Sequence, residues 1–197
     1  QRDAALLIDD PAERLEGLVS GLLDFARPKE PQLSHFDARQ LLSEVASMLK
    51  PKLEESGVML RIADGASPLP LYSDPAGLRQ ILLNVCINAI DASPPGSTVS
   101  VSILPGDNDG TIAFQIDDCG PGFGGRDPEE FFEPFVTTKA RGTGLGLAIS
   151  RQIAERLGGT IALSDNVNGG ARCLIRLPAA AVKAPENQVP QAFKGGR

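Results

Sequence analysis

The sequence is poor in the residues that build metal, redox and nucleophilic sites. Among 197 residues there is one histidine, His35, and no tryptophan, and aromatic residues make up only 5%. One histidine leaves almost no material for a histidine-based metal site or a Ser/His/Asp triad. The three cysteines, Cys86, Cys119 and Cys173, are odd in number, widely separated and never in a CxxC pair. They read as reduced thiols, not as a disulfide framework or a zinc site. No apolar run approaches the roughly 18 residues of a membrane span, and no signal peptide precedes the first helical pattern. A formal net charge of −6 without any Lys/Arg block argues against nucleic-acid binding through phosphate contacts. The chain starts at Gln1 rather than Met, so it reads as a fragment of something longer.

Glycine, by contrast, is abundant and uneven. Of 21 glycines, 11 fall between Gly120 and Gly170. A local excess marks backbone that must bend sharply or approach something closely.

Hydrophobic period and punctuation predict the elements. Residues 1–27 carry an amphipathic stripe through Ala4, Ile8, Leu15, Leu18, Leu22 and Phe25. Pro11 either kinks that helix or, after Asp10, starts it. Such a stripe needs a partner helix or a second subunit. Asp37 can cap a helix to about Glu55, stopped by Gly57, and Val58–Ile62 alternate like a strand. Pro68 and Pro70 mark a loop, and Asp74-Pro75 opens a helix to about Ala92. Strands are expected at Thr98–Leu104 and Thr111–Asp117, around a hairpin loop at Asp107–Gly110. A helix from about Leu145 to Leu157 ends at Gly158-Gly159. Strands at Thr160–Leu163 and Arg172–Leu177 follow, separated by a Gly169-Gly170 turn. Residues 179–197 show no apolar period and read as a disordered tail or linker. This order predicts an α+β fold, a two-layer α/β sandwich with a mixed sheet and helices on one face, preceded by one long helix.

Gly120, Gly122 and Gly125 spell GxGxxG after a strand, but Arg-Asp-Pro-Glu-Glu follows where a dinucleotide fingerprint must open a helix. No GK dipeptide exists, which excludes a P-loop, and the HRD and DFG elements are missing. Four other stretches carry chemistry. Asn84 and Asn88 share one face of a helix, and an amide oxygen suits a hard cation such as magnesium. Asp118, at a strand end before Gly120 and Gly122, offers a carboxylate that can accept from an adenine amino group. Lys139, in a loop between glycine runs, is well placed to meet phosphate. Gly142, Gly144 and Gly146 precede a helix N-terminus, where backbone N–H groups favour an anion.

Together, DPAGLRQILLNVCINAIDAS, DDCGPGF, FFEPF and GTGLGLAIS resemble the N, G1, F and G2 boxes of bacterial sensor histidine kinases. The resemblance covers about residues 36–178 and implies the Bergerat ATP-binding fold that these kinases share with gyrase, the heat-shock chaperone ATPase and mismatch-repair ATPases. RLEGLVSGLLDFARP resembles the second helix of the same family's dimerisation and phosphoacceptor domain, and the short Gly122–Gly142 segment resembles the compact lids of nitrogen-regulation kinases. The implied organisation is 1–30 for that helix, 31–179 for the catalytic ATP-binding domain and 180–197 for a tail.

The resemblance also implies roles. Asp118 binds adenine, with Gly120 and Gly122 shaping the pocket. Asn88 holds magnesium, and Asn84 lines the phosphate side. Lys139 approaches the terminal phosphates, while Gly142, Gly144 and Gly146 form the anion-binding turn of a mobile lid. Asp91, Phe132, Thr143, Leu145 and Leu147 complete the expected nucleotide contacts, with Asn88 and Lys139 as the catalytic pair. The cofactors are ATP and Mg2+. The γ-phosphoryl group passes to a histidine on a dimerisation helix of a homodimeric parent, then to an aspartate of a response regulator. The module is expected in the cytoplasm, whether or not its parent is membrane-anchored. Two departures stand out. No helix carries the acceptor histidine, since His35 lies in a Pro-rich linker, and Ala171 replaces a common threonine, which weakens one phosphate or lid contact. A Bergerat-fold ATPase or serine kinase, and a nucleotide-binding module without turnover, are the competing readings.

Overall fold

The computed structural model describes residues 22, 30–63, 68–105, 110–139, 142–167 and 169–178. The long helix expected over 1–27 (Leu22 apart) and the tail beyond 178 lie outside the described residues.

Local sequence sets the helices. Asp37 caps α1 (Ala38–Ser56) by accepting from the Arg39 N–H, and Gly57 ends it at φ 65. Glycine supplies that left-handed turn without a Cβ clash. Asp74 caps α2 (Pro75–Ala92) in the same way, with Pro75 in the first turn where its missing N–H costs nothing. The third helix, α3 (Gly146–Arg156), starts at Leu145 without any side-chain cap.

Five strands make one mixed sheet: β2 (Met59–Ala63), β4 (Thr98–Pro105), β5 (Thr111–Asp117), β6 (Thr160–Asp165) and β7 (Ala171–Pro178), in the order β2-β4-β5-β7-β6. β2 and β4 pair in parallel because α2 intervenes between them, and the other pairs are antiparallel. Alternation decides the layers. Val99, Val101, Ile112, Phe114, Ile116, Cys173, Ile175 and Leu177 turn inward onto Leu42, Leu49, Leu78, Ile81, Leu82, Ile90 and Ile153 of the helices. All three helices join that one core, as the predicted two-layer α+β sandwich requires.

One pairing was not foreseen. β1 (Ser34–Asp37) and β3 (Pro70–Ser73) form a small antiparallel sheet, with His35 opposite Tyr72. Residues read as linker and proline loop are therefore strands. Pro70 sits at the start of its strand, a position where proline is tolerated. Each strand is four residues long, too short for alternation to announce.

Candidate functional site

A cavity of about 810 Å³ opens between α2, the loop after β5 and the segment leading into α3. Asp118 forms part of one wall, just beyond the end of β5, and is 9% exposed. Its Oδ1 accepts from the N–H groups of Gly120 at 2.8 Å and Ala171 at 2.9 Å. Both donors reach Oδ1, and no donor among the described residues reaches Oδ2. Burial raises this carboxyl above the ordinary range, and the two backbone N–H groups only partly offset that.

Glycine lets backbone close around Asp118 from both sides. A Cβ on Gly120 would stand 2.7 Å from the Ala92 carbonyl oxygen, and one on Gly170, at φ +88, would overlap the Asp118 carbonyl. Gly122, at φ +68, turns the chain so that the Phe123 N–H reaches Asp165 at 2.8 Å.

A second wall is charged. The Lys139 ammonium bonds Asn88 Oδ1 at 2.6 Å and Asp91 Oδ2 at 2.7 Å. Lys52, from α1, reaches Asp91 Oδ1 at 2.9 Å. Burial pushes the Asp91 carboxyl up, but the Lys139 and Lys52 ammoniums outweigh it and hold the group below the usual range. The Asp91 bond in turn raises Lys52.

The glycine-rich turn lines the same cavity. The Phe135 N–H donates to the Gly144 carbonyl at 3.0 Å, with both residues at φ 68. Phe135 is the one non-glycine among the described residues with positive φ, and any Cβ on Gly144 would collide with its backbone. Thr143 Oγ1 accepts from the Leu145 N–H at 3.3 Å. Asn84 Nδ2 donates to the Gly146 carbonyl at 3.2 Å and lies 3.4 Å from Ser150 Oγ, so this amide ties α2 to the first turn of α3. The uncapped helix start, with Gly146 and Leu147 on the cavity, offers backbone N–H groups to an anion.

Of the residues singled out by sequence, Asn84, Asn88, Asp91, Asp118, Gly122, Lys139, Gly142, Thr143, Gly144, Gly146 and Leu147 line this one cavity. Gly120 stands behind the wall. Phe132 and Leu145 do not reach it. Phe132 is packed in the core with the Arg151 guanidinium 3.8 Å over its ring, and Leu145 is 1% exposed. Both large apolar side chains are packed within the core cluster, and that burial decides where they point. Ala171 serves Asp118 through its own N–H, which puts it beside that carboxylate rather than beside Lys139. Lys52 and Arg126 also line the cavity, and neither lies in a motif.

Residues 73–181, more than half of the chain, match the family described as histidine kinase-, DNA gyrase B-, and HSP90-like ATPase. The chain belongs to that family. The sensor histidine kinase ZraS of Escherichia coli O157:H7 is 32% identical over 167 residues, which is 85% of this chain and 36% of ZraS. The crystal structure of full-length ShkA in complex with AMPPNP has a TM-score of 0.78 at 32% identity, covering 91% of this chain and 39% of that one. The catalytic domain of the histidine kinase ThkA, in a nucleotide-free form, has a TM-score of 0.68 at 26% identity, covering 76% of this chain and 97% of that domain. The chain thus spans little more than a third of the full-length relatives it matches.

The cavity accordingly lies in an ATP-binding domain homologous to those of sensor histidine kinases. Its donor set also suits a hard cation. No group of three or more His, Cys, Asp or Glu among the described residues could hold a metal alone. Asn88 Oδ1, however, already accepts a hydrogen bond from the cationic Lys139 ammonium. Magnesium needs few protein oxygens when phosphates supply the rest.

Proposed function

We propose that residues 31–179 bind ATP with magnesium and transfer its γ-phosphoryl group to a histidine on a dimerisation helix. The phosphoryl group then passes to an aspartate of a response regulator receiver domain. Residues 1–30, by their resemblance to a dimerisation-domain helix, would join this module to the acceptor in a homodimeric parent. The need for cellular ATP puts the module in the cytoplasm, whether or not the parent is membrane-anchored.

One observation carries the reading: a single cavity joins a carboxylate with a vacant oxygen to an amide, two lysines and an uncapped helix start. Asp118 accepts from the adenine amino group, and its two backbone donors fix the angle at which it does so. Asn88 offers its amide oxygen to magnesium, which when bound neutralises charge on the phosphates. Lys139 moves from Asn88 and Asp91 to the terminal phosphates. Gly142, whose N–H donates to the Lys139 carbonyl at 3.2 Å, shapes the turn, and Thr143, Gly144, Gly146 and Leu147 present backbone donors to the same anion. Catalysis is then positioning and charge stabilisation, with no covalent protein intermediate in this chain.

Calorimetry with ATP and magnesium tests the pocket. Asp118→Ala removes a charge-assisted bond worth about 1.5–3 kcal/mol, so affinity should fall tenfold or more. Unchanged affinity would refute the assignment. Transfer is tested by mixing the chain with the phosphoacceptor helices of its parent and γ-labelled ATP. Acid-labile label should appear on the added helices and not on His35.

A further inference from the structure

Lys52 belongs to none of the nucleotide motifs, yet it completes the charged wall of the cavity. It follows Pro51 inside α1 and lines the same cavity as Asn88 and Lys139. Asp91 divides its oxygens between two ammoniums, Oδ1 to Lys52 at 2.9 Å and Oδ2 to Lys139 at 2.7 Å. Glu55 also approaches Lys52, but at 3.7 Å and from a far more exposed position. Asp91 is the partner that decides where Lys52 points.

The arrangement carries a conflict. Lys139, the lysine placed for phosphate, occupies Asn88 Oδ1, the oxygen placed for the metal, at 2.6 Å. Metal and phosphates enter together only when Lys139 leaves both Asn88 and Asp91. Asp91 would then be a partly buried carboxylate facing a polyphosphate, and like charges at close range repel strongly. Its remaining partner is Lys52, bound through the other oxygen and free to stay.

Resting on the nucleotide reading above, we infer that Lys52 is a positioning residue for the phosphate side of the site. It keeps Asp91 paired, and so frees Lys139 to exchange Asn88 and Asp91 for the phosphates of the nucleotide. Lys52 itself need not touch the reacting atoms. Its influence is confined to ligands that draw Lys139 away, which means polyphosphates and not the adenosine moiety.

The test compares ATP with adenosine on the full chain, by calorimetry for ATP and by NMR chemical-shift titration for adenosine. Lys52→Met should weaken ATP binding about tenfold and leave adenosine binding unchanged. Lys52→Arg, which keeps the charge, should stay within about twofold of the parent chain for both ligands. Adding Asp91→Asn to Lys52→Met should recover most of the lost ATP affinity, because no carboxylate then needs a partner. Retained adenosine binding also shows that each variant is folded. The inference is overturned if Lys52→Met binds ATP normally, if ATP and adenosine weaken together, or if Asp91→Asn brings no recovery. A parent chain that binds neither ligand would instead remove the nucleotide reading on which this one rests.

Discussion

Both backbone donors to Asp118 reach the same oxygen, so the carboxylate is oriented without losing its capacity to accept from a ligand. That capacity depends on charge. Burial lifts its pKa above the ordinary carboxyl range, so ATP affinity should fall as pH drops through that raised value. An affinity–pH profile that stays flat into the acid range would show that the carboxylate is not the acceptor. Gly170 supports the same residue from behind. Gly170→Ala would place a methyl group against the Asp118 carbonyl and impose φ +88 on a residue with a Cβ. We expect about 1–3 kcal/mol of lost stability together with weaker ATP binding, read by chemical denaturation and calorimetry.

At the scale of elements, Asp37 does two tasks. It caps α1 through the Arg39 N–H at 2.9 Å and accepts from the Leu69 N–H at 3.1 Å, which binds the helix start to the segment before β3. Asp37→Ala should cost about 1 kcal/mol, a fall in Tm of a few degrees. The Leu69 and Arg39 donors lower the pKa of this carboxyl. Its contribution is therefore complete above the ordinary carboxyl range and is lost as pH falls through its folded value. Melting curves between neutral and acid pH should converge for the parent chain and Asp37→Ala. The glycine-rich turn is anchored in a different way. Asn84 holds the Gly146 carbonyl, and the Phe135 N–H holds that of Gly144, so the turn hangs from α2 and from the loop before it. Asn84→Ala should loosen that anchor, seen as faster hydrogen exchange over Gly142–Ser150 with the rest of α2 unchanged.

For the whole molecule, the sheet and its three helices form a scaffold whose open margin carries the site. Transfer in trans remains the decisive measurement, since His35 lies on β1 with its ring 4.7 Å from that of Tyr72 and not on a helix. Much of this was legible in the chain. Asp37, Gly57 and Asp74-Pro75 act on their own neighbours, so they announce α1 and α2 locally. Apolar alternation in β5 and β7 specifies which sheet face meets the helices. The spaced asparagines, the Asp-Cys-Gly-Pro-Gly stretch and the glycine-rich turn display their chemistry within a few residues. Tertiary structure decided whatever depends on partners far along the chain. The β1–β3 pair joins residues such as Ser34 and Ser73, and the Lys52 contact spans two helices. Phe132 and Leu145 sit within the motifs yet turn to the core, because a motif fixes the backbone path while burial decides where a large apolar side chain points. The sequence alone therefore determined the three helices, the five strands of the main sheet and the chemical types brought to the site. Only the fold decided which of those residues face one another, because distance in space is set by packing and not by spacing along the chain.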